Sequence, residues 1–179
     1  MDFNNSKTKI NLENAFIGES KARNKYTFFS KKAKDDGFIQ IGKIFEETAN
    51  NEKEHAEIWY KLLNDNKINS TRKNLKDAIE AEDFEYTSMY KEYAITAMEE
   101  GFQDIARVFE SVRQIEKTHR DRYIKLLYNL ESDEIFKKDT EITWRCSKCG
   151  NQVVAKAAPK ICPVCKHEQG YFEDKNTCL

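Results

Sequence analysis

One stretch of this chain occurs twice, and that repeat constrains the fold more than any other feature. Asp36-Gly37-Phe38, Ile41, Phe45-Glu46 and Glu52-Lys53-Glu54-His55 return as Glu100-Gly101-Phe102, Ile105, Phe109-Glu110 and Glu116-Lys117-Thr118-His119, at one offset of 64 residues. Each copy opens on an acidic-glycine turn, where glycine supplies the left-handed residue that ends a preceding helix. Each continues with helical apolar spacing into the pattern E-x-x-H and closes on a Leu-Leu pair, Leu62-Leu63 or Leu126-Leu127. A turn flanked by two long helices, made twice, predicts a duplicated helical hairpin and an all-α four-helix bundle.

The first helix is expected from Ser6 or Thr8, either of which can cap it. Ile10, Leu12, Ala15, Phe16, Glu19, Ala22, Arg23, Tyr26 and Phe29 follow at roughly helical spacing, as far as Asp35-Asp36-Gly37. The second helix runs from about Phe38 to Leu63, and polar residues 64–71 cross between the halves. The third starts near Thr71 or Asn74 and reaches Glu99, and the fourth covers about Phe102 to Leu130. The charged stretch that follows reads as a linker. Past it the composition shifts to Cys, Gly and Pro, with strand-like pieces such as Gln152-Val153-Val154. The expected domains are a helical bundle over 1–134, a linker over 135–143 and a small β-rich metal-binding module over 144–179.

Composition excludes several classes of partner. A third of the residues are charged, yet the formal net charge is -1, so no basic surface for nucleic acid or an acidic membrane is expected. No apolar run approaches the roughly 18–20 residues that span a bilayer. The polar start Met1-Asp2-Phe3-Asn4-Asn5-Ser6 lacks the apolar core of a signal peptide. The expectation is a soluble, cytoplasmic protein. Four of its five cysteines form two C-x-x-C pairs, which in that compartment indicate a metal rather than disulfides.

Residues three apart on a helix share a face, so Glu52 with His55, and Glu116 with His119, each offer two donors to one place. Helices one and three must supply the rest. Glu19 lies 33 residues before Glu52 and Glu82 lies 34 before Glu116, both among apolar helix positions. Glu85 follows Glu82 by one turn. Oxygen and imidazole donors suit iron or manganese, and zinc as well. One E-x-x-H in a Glu-rich helical chain is ordinarily chance. Two, at matched places in a duplicated hairpin and each with an upstream Glu, are a ligand set. Glu46, Glu47, Glu54, Glu57, Glu99, Glu100 and Glu110 read as solvated or surface-paired.

The repeat has one irregularity. The offset sets Asp83, not Glu82, opposite Glu19, while Tyr90 still falls opposite Tyr26. The third helix therefore holds one extra residue between its first ligand and its aromatic cluster. Helices absorb such an insertion as a π-bulge, often at functional sites, and one is predicted between about Glu82 and Tyr90.

Cys146-Ser147-Lys148-Cys149-Gly150 and Cys162-Pro163-Val164-Cys165 form two knuckles twelve residues apart. Together they aim four thiolates at one point, a tetrahedral site that serves as a structural zinc ribbon or a one-electron Fe(Cys)4 centre. The C-x-x-C-G and C-P-x-C forms favour iron. His167 is expected outside the ligand set, and Cys178 is a spare exposed thiol.

The chain resembles the rubrerythrins. The matching pieces are residues 15–26 (AFIGESKARNKY), Glu47-Thr48-Ala49 with Glu52-Lys53-Glu54-His55-Ala56, Ala81-Glu82-Asp83-Phe84-Glu85-Tyr86-Thr87 with Met89-Tyr90, residues 100–109, Glu116-Lys117-Thr118-His119, and Trp144-Arg145-Cys146 onward. The resemblance covers nearly the whole chain. It implies a ferritin-like bundle, a rubredoxin-like module, and a non-haem di-iron peroxidase that reduces hydrogen peroxide to water in oxidative-stress protection. It further implies that Glu52 and Glu116 bridge the irons, that Glu19 and Glu82 are terminal ligands, and that His119 holds the second iron. One iron exchanges a Glu for a His on reduction, here Glu85 for His55, and Tyr26 and Tyr90 hydrogen-bond nearby. Electrons would come from a rubredoxin or an NAD(P)H-dependent reductase through the mononuclear Fe(Cys)4 site, in a homodimer or larger homo-oligomer. Two departures stand out: Lys91 follows Met89-Tyr90 where Pro is expected, and the crossover near residues 64–71 is short. The rival readings are a ferritin-like iron-oxidising storage protein and a zinc-stabilised structural protein.

Overall fold

A computed structural model describes residues 2–175; Cys178 lies outside them. The chain divides into two compact units, residues 1–69 and 70–179.

The first unit is a helical hairpin. A short 3-10 turn (Phe3–Asn5) leads to α1 (Lys7–Asp35), and α2 (Ile39–Leu63) returns along it. Ser6 caps α1, its Oγ accepting the Lys9 N–H at 3.1 Å, which satisfies one orphan donor of the first turn. Gly37 ends the helix at φ +85°. Behind it the Phe38 N–H donates to the Ala33 carbonyl at 2.8 Å and the Gly37 N–H to that of Lys34 at 3.1 Å, the paired bonds of a Schellman turn. Past the turn the helices approach closely at Gly42, whose carbonyl accepts from the buried Ser30 hydroxyl at 2.8 Å. A Cβ on Gly42 would meet Lys34 Cγ at 2.6 Å.

The second unit repeats the hairpin with one change. Ser70 caps α3 (Thr71–Phe84), one residue before the expected start. A π-helical turn (Glu85–Met89) follows, closed by the Tyr90 N–H donating to the Glu85 carbonyl five residues back. Then come α4 (Tyr90–Glu99), a turn at Gly101 with φ +87°, and α5 (Gln103–Glu131). The Phe102 N–H donates to Ala97 at 2.7 Å and that of Gly101 to Met98 at 3.1 Å, which reproduces the first turn bond for bond. The predicted extra residue thus appears as a π turn in the interval read from the repeat.

The aromatic clusters repeat as well. Tyr26, Phe29 and Phe45 pack with ring centroids 5.6–6.1 Å apart. Their counterparts Tyr90, Tyr93 and Phe109 pack at 5.6–6.2 Å. Such clusters pack the two helices of each hairpin together beside its turn and fix their rotation about each other.

The C-terminal module is a three-stranded antiparallel sheet in the order β2-β1-β3, with β1 (Lys137–Cys146), β2 (Gln152–Ala157) and β3 (Phe172–Asp174). Trp144, Cys146, Ala158, Cys162 and Phe172 form its core. Residues 137–143, read from their charge as linker, are strand. Ile142 and Thr143 pair with Ala155 and Val154 of β2, and Lys137 pairs with Ala157 across a register shift. Most of their polar side chains are exposed, so the strand is made by its partner's backbone bonds rather than by apolar alternation. Among the described residues strands occur only here, and the regular elements before them are helical.

Candidate metal centres

Three groups of donors converge. In the first hairpin Glu19, Glu52 and His55 bring ligand atoms within 4.8 Å of one another, as Glu82, Glu116 and His119 do in the second and the four cysteines of the two knuckles do in the sheet module. The helices place them by simple spacing. His55 Nδ1 lies 2.9 Å from Glu52 Oε2 and 3.9 Å from Glu19 Oε1. His119 Nδ1 lies 2.7 Å from Glu116 Oε2 and 3.5 Å from Glu82 Oε2. Glu52 and Glu116 are well covered, at 17% and 13% side-chain exposure, whereas His55 is half exposed.

The second group carries the stronger electrostatic signature. Burial, then the hydrogen bond and charge of Glu116, push the Glu82 carboxyl above its ordinary range. Glu85, on the first residue of the π turn, is raised by burial and by the Glu116 charge, against the pull of His119. Burial and the nearby Glu85, Glu116 and Tyr93 raise the Tyr90 hydroxyl. Carboxylates crowded this way stay together by holding protons, or by sharing a cation that displaces them. The mixed oxygen and imidazole donors fit a pair of iron ions. Glu85 borders the second group electrostatically but is not one of its three convergent ligands. The first hairpin has no acid at the matching place, where Lys21 and Ala22 stand.

The sheet module holds Cys146 Sγ and Cys165 Sγ 3.7 Å apart, and Cys149 Sγ and Cys162 Sγ also 3.7 Å apart. Backbone N–H groups of Cys165 and Val164 face Cys162 and bring its thiol down to about 6. Those of Cys149 and Lys148 lower Cys146. Cys165 receives the His167 N–H, but burial and three thiol neighbours outweigh it and push it up to about 12. A tetrahedral thiolate site needs this donor count and these amide bonds to sulfur. Each knuckle closes through a left-handed residue, Gly150 at φ +77° and Lys166 at φ +63°. His167 stands outside the cluster, its ring edge-on to Tyr171 at 4.9 Å.

Sequence reasoning missed the residues that hold the π turn. The Tyr86 ring lies between two guanidinium groups of α5, Arg113 and Arg120, each carbon 5.0 Å from the ring centroid. Arg120 donates to Asp83 Oδ1 at 2.7 Å, and Arg113 reaches the Tyr86 carbonyl at 3.4 Å. The signal was present. The two arginines flank Glu116 three residues before and four after, and the offset of 64 sets them opposite Ala49 and Ala56. Two cations on one stripe where the twin hairpin keeps buried alanines mark the place where the halves differ. Of the acids set aside from the ligand set, Glu46 pairs with Lys34 at 2.7 Å, Glu110 with Arg113 at 2.7 Å and Glu57 with Lys61.

Known proteins resemble this chain in sequence. Residues 11–127 match the rubrerythrin family, and residues 144–173 match the rubrerythrin rubredoxin-like domain. Rubrerythrin-1 of Clostridium acetobutylicum is 43% identical over 94% of this chain and 94% of its own. Rubrerythrin of Porphyromonas gingivalis is also 43% identical, over 96% of this chain and 92% of its own. A structure of nigerythrin in its fully reduced, all-ferrous state is 27% identical over 94% of this chain and 87% of that one, with a TM-score of 0.36. The carboxylate–histidine groups are the residues of a di-iron centre, and the four cysteines are those of a rubredoxin-like site.

Proposed function

Since the chain belongs to the rubrerythrin family, we propose that it is a peroxidase that reduces hydrogen peroxide to water. The observation that carries this reading is Glu85, a carboxylate beyond the duplicated ligand set, placed by the π turn beside Glu116 and His119. A storage site needs only the matched set from the two hairpins, and it has no use for a four-thiolate electron centre. When bound, a ferrous pair supplies two electrons and Lewis acidity toward oxygen, and thiolate-bound iron passes single electrons.

The chain's own groups supply the rest. Glu19, Glu52, Glu82, Glu116 and His119 would hold the metal pair, and Glu85 and His55 would be alternative ligands to one member. Conversion of one peroxide to two waters consumes two protons as well as two electrons. Burial shifts the Glu85 carboxyl and the Tyr90 hydroxyl toward their protonated forms, and Tyr90, which is not among the ligands, can hold a proton beside the carboxylates. Tyr26 holds the matching place in the first hairpin. An external donor, a rubredoxin or a nicotinamide-dependent reductase, would supply the electrons, and the four cysteines would hold the iron that relays them.

The test is peroxide turnover by iron-loaded, reduced protein, followed as oxidation of the electron donor, together with iron content. Glu85→Ala should retain its iron and lose most of its peroxide turnover. Unchanged turnover in that variant would remove Glu85 from the mechanism. Failure of the unaltered protein to consume peroxide, with iron accumulating instead, would favour storage.

A further inference from the structure

We infer that Arg113 and Arg120 are positioning residues for Glu85: by gripping Tyr86 and Asp83 they fix where along the helix the π turn sits, and so which face the Glu85 carboxylate occupies. The inference rests on the metal-pair reading above and adds what directs its extra carboxylate.

A π turn has no fixed address in a helix. It is one surplus residue, and it can lie anywhere in a stretch whose two ends are held. Here Glu82 is held at one end, its carboxylate 3.5 Å from His119 Nδ1. Tyr90 is held at the other, its ring 6.0 Å from that of Phe109. Neither contact decides where between them the surplus falls. For Glu85 the choice matters. With the π turn after it, Glu85 follows α3 and shares a face with Glu82, three residues earlier. With the π turn ahead of it, Glu85 follows α4, turned by about 100°, and its carboxylate leaves that face. The first arrangement is the one present. The Glu85 N–H bonds back to the Ala81 and Glu82 carbonyls, so the residue is still joined to α3, and the Tyr90 N–H skips to the Glu85 carbonyl.

The arginines are built to grip this segment. Arg113 and Arg120 stand seven residues apart on one face of α5, two turns or about 10.5 Å. Each guanidinium carbon lies 5.0 Å from the Tyr86 ring centroid, so the ring fills the gap between them. Glu116 lies on the same face, inside that gap. Neighbouring acids hold both guanidinium groups in place. Arg113 makes two bonds to Glu110, at 2.7 and 2.8 Å, and Arg120 makes two to Asp121, at 3.1 and 2.9 Å. A planar fork fixed in this way stacks on a ring with little further ordering. The two side chains are only 20% and 19% exposed, and removal from water strengthens the attraction of a cation to an aromatic face.

Their contacts fix the turn from both sides. Arg120 donates to Asp83 at 2.7 Å and stacks on Tyr86, three residues further on. Holding both keeps residues 83–86 as one regular helical turn, with Glu85 inside it. Arg113 acts on the π turn itself. In an α-helix the Tyr86 carbonyl would accept the Tyr90 N–H, which here goes to Glu85 instead. Arg113 offers that carbonyl a guanidinium N–H at 3.4 Å. The surplus residue is thus kept out of the segment before Tyr86 and supported where it falls. The repeat supplies the comparison. Ala49 and Ala56 stand opposite the two arginines and Ala22 opposite Tyr86, and α1 runs from Lys7 to Asp35 with no π turn. Clamp and turn are present together in one hairpin and missing together from the other.

Two measurements on the full-length protein test this. The variant combining Arg113→Met with Arg120→Met keeps unbranched stems against the ring and removes both charges. Amide hydrogen exchange is read first. Exchange over residues 85–90 should quicken about tenfold, with α1 and α2 unchanged. Tyr86→Leu, which leaves the arginines with their acids, should do the same and serves alone if the arginine variant folds poorly. Tyr86→Phe, which keeps a ring face, should behave as the unaltered protein. The second measurement is release of carboxylate-bound iron from the oxidised, iron-loaded protein to a chelator, with thiolate absorption as internal reference. Glu85→Ala should speed release about tenfold. The arginine variant should match it, and the two combined should release no faster than Glu85→Ala alone, because both act through one carboxylate. Additive effects would make the arginines general supports of the helix pair and overturn the inference, as would unchanged exchange over residues 85–90. Faster exchange, with release unmoved by Glu85→Ala, would uphold the clamp and strike Glu85 from the ligands. An unaltered protein that holds no carboxylate-bound iron would overturn the metal-pair reading, and exchange would then decide the clamp by itself.

Discussion

Deleting Thr87 would remove the residue that makes the π turn and leave an ordinary helix from Thr71 to Glu99. Thr87 is exposed, so its side chain takes little packing with it; the consequence is local. Each residue of an α-helix advances about 100°, so an extra residue carried in an ordinary helix would turn Glu82 by that angle relative to Tyr90. A carboxylate about 6 Å from the helix axis would then swing by about 9 Å, whereas metal–ligand distances tolerate about 0.2 Å. The π turn absorbs that rotation, and the deletion removes the turn and the extra residue together. Glu82 then stands seven residues before Tyr90, the separation by which the regular helix α1 places Glu19 and Tyr26, and it keeps its place beside Glu116 and His119. What changes is the turn itself, which carries Glu85 and Tyr86. Loss of the cation–π contacts of Tyr86 with Arg113 and Arg120 costs about 1–3 kcal/mol together, which the helical unit should survive. The assay is metal per chain after reconstitution, with thiolate-site absorption as internal reference. The expected result is that both the carboxylate site and the four-thiolate site still fill. A deletion variant that loses the carboxylate-bound metal while filling the four-thiolate site would refute the claim that the π turn absorbs the extra residue.

Three further outcomes follow from the same geometry. Glu110 is held down to about 2 by Arg113 and Gln114. Its contribution to stability is therefore present above the ordinary carboxyl pKa of about 4.3 and fades as pH falls toward about 2. Because Glu110 is about half exposed, that contribution is under about 1 kcal/mol, and Glu110→Gln should flatten the acid limb of a thermal-unfolding profile by that amount. Gly101→Ala places a Cβ on a residue at φ +87°, and chemical denaturation should show a loss of about 1 kcal/mol. Cys162→Ser removes a fully buried ligand; the thiolate absorption should vanish and proteolysis should open the sheet module, while the helical circular dichroism persists.

The parts of this molecule legible in its sequence are those governed by period and repetition. Glu52 with His55 and Glu116 with His119 needed only helical spacing. The π turn at Glu85–Met89 was visible because two copies of one hairpin disagreed by a residue, a comparison that a single helix never offers. Strand β1 was hidden from Lys137 to Thr143, because its pairing partners in β2, Ala157, Ala155 and Val154, are distant in sequence and its charged side chains carry no apolar alternation. The arginine clamp on Tyr86 escaped for a related reason. Arg113 and Arg120 look like solvated helix positions until the bulge turns an aromatic ring between them.

The twin Schellman turns at Gly37 and Gly101 also bear on the order of events in time. Each joins two helices whose contacts are close in sequence, and chains rich in local contacts fold fast. The first hairpin can therefore form during synthesis, while the second half is still being made. What forms later is the sheet module, whose strands β1 and β3 pair across about thirty residues, Trp144 with Asp174, and non-local pairing is intrinsically slower. Refolding should therefore recover the helices before the four-thiolate site.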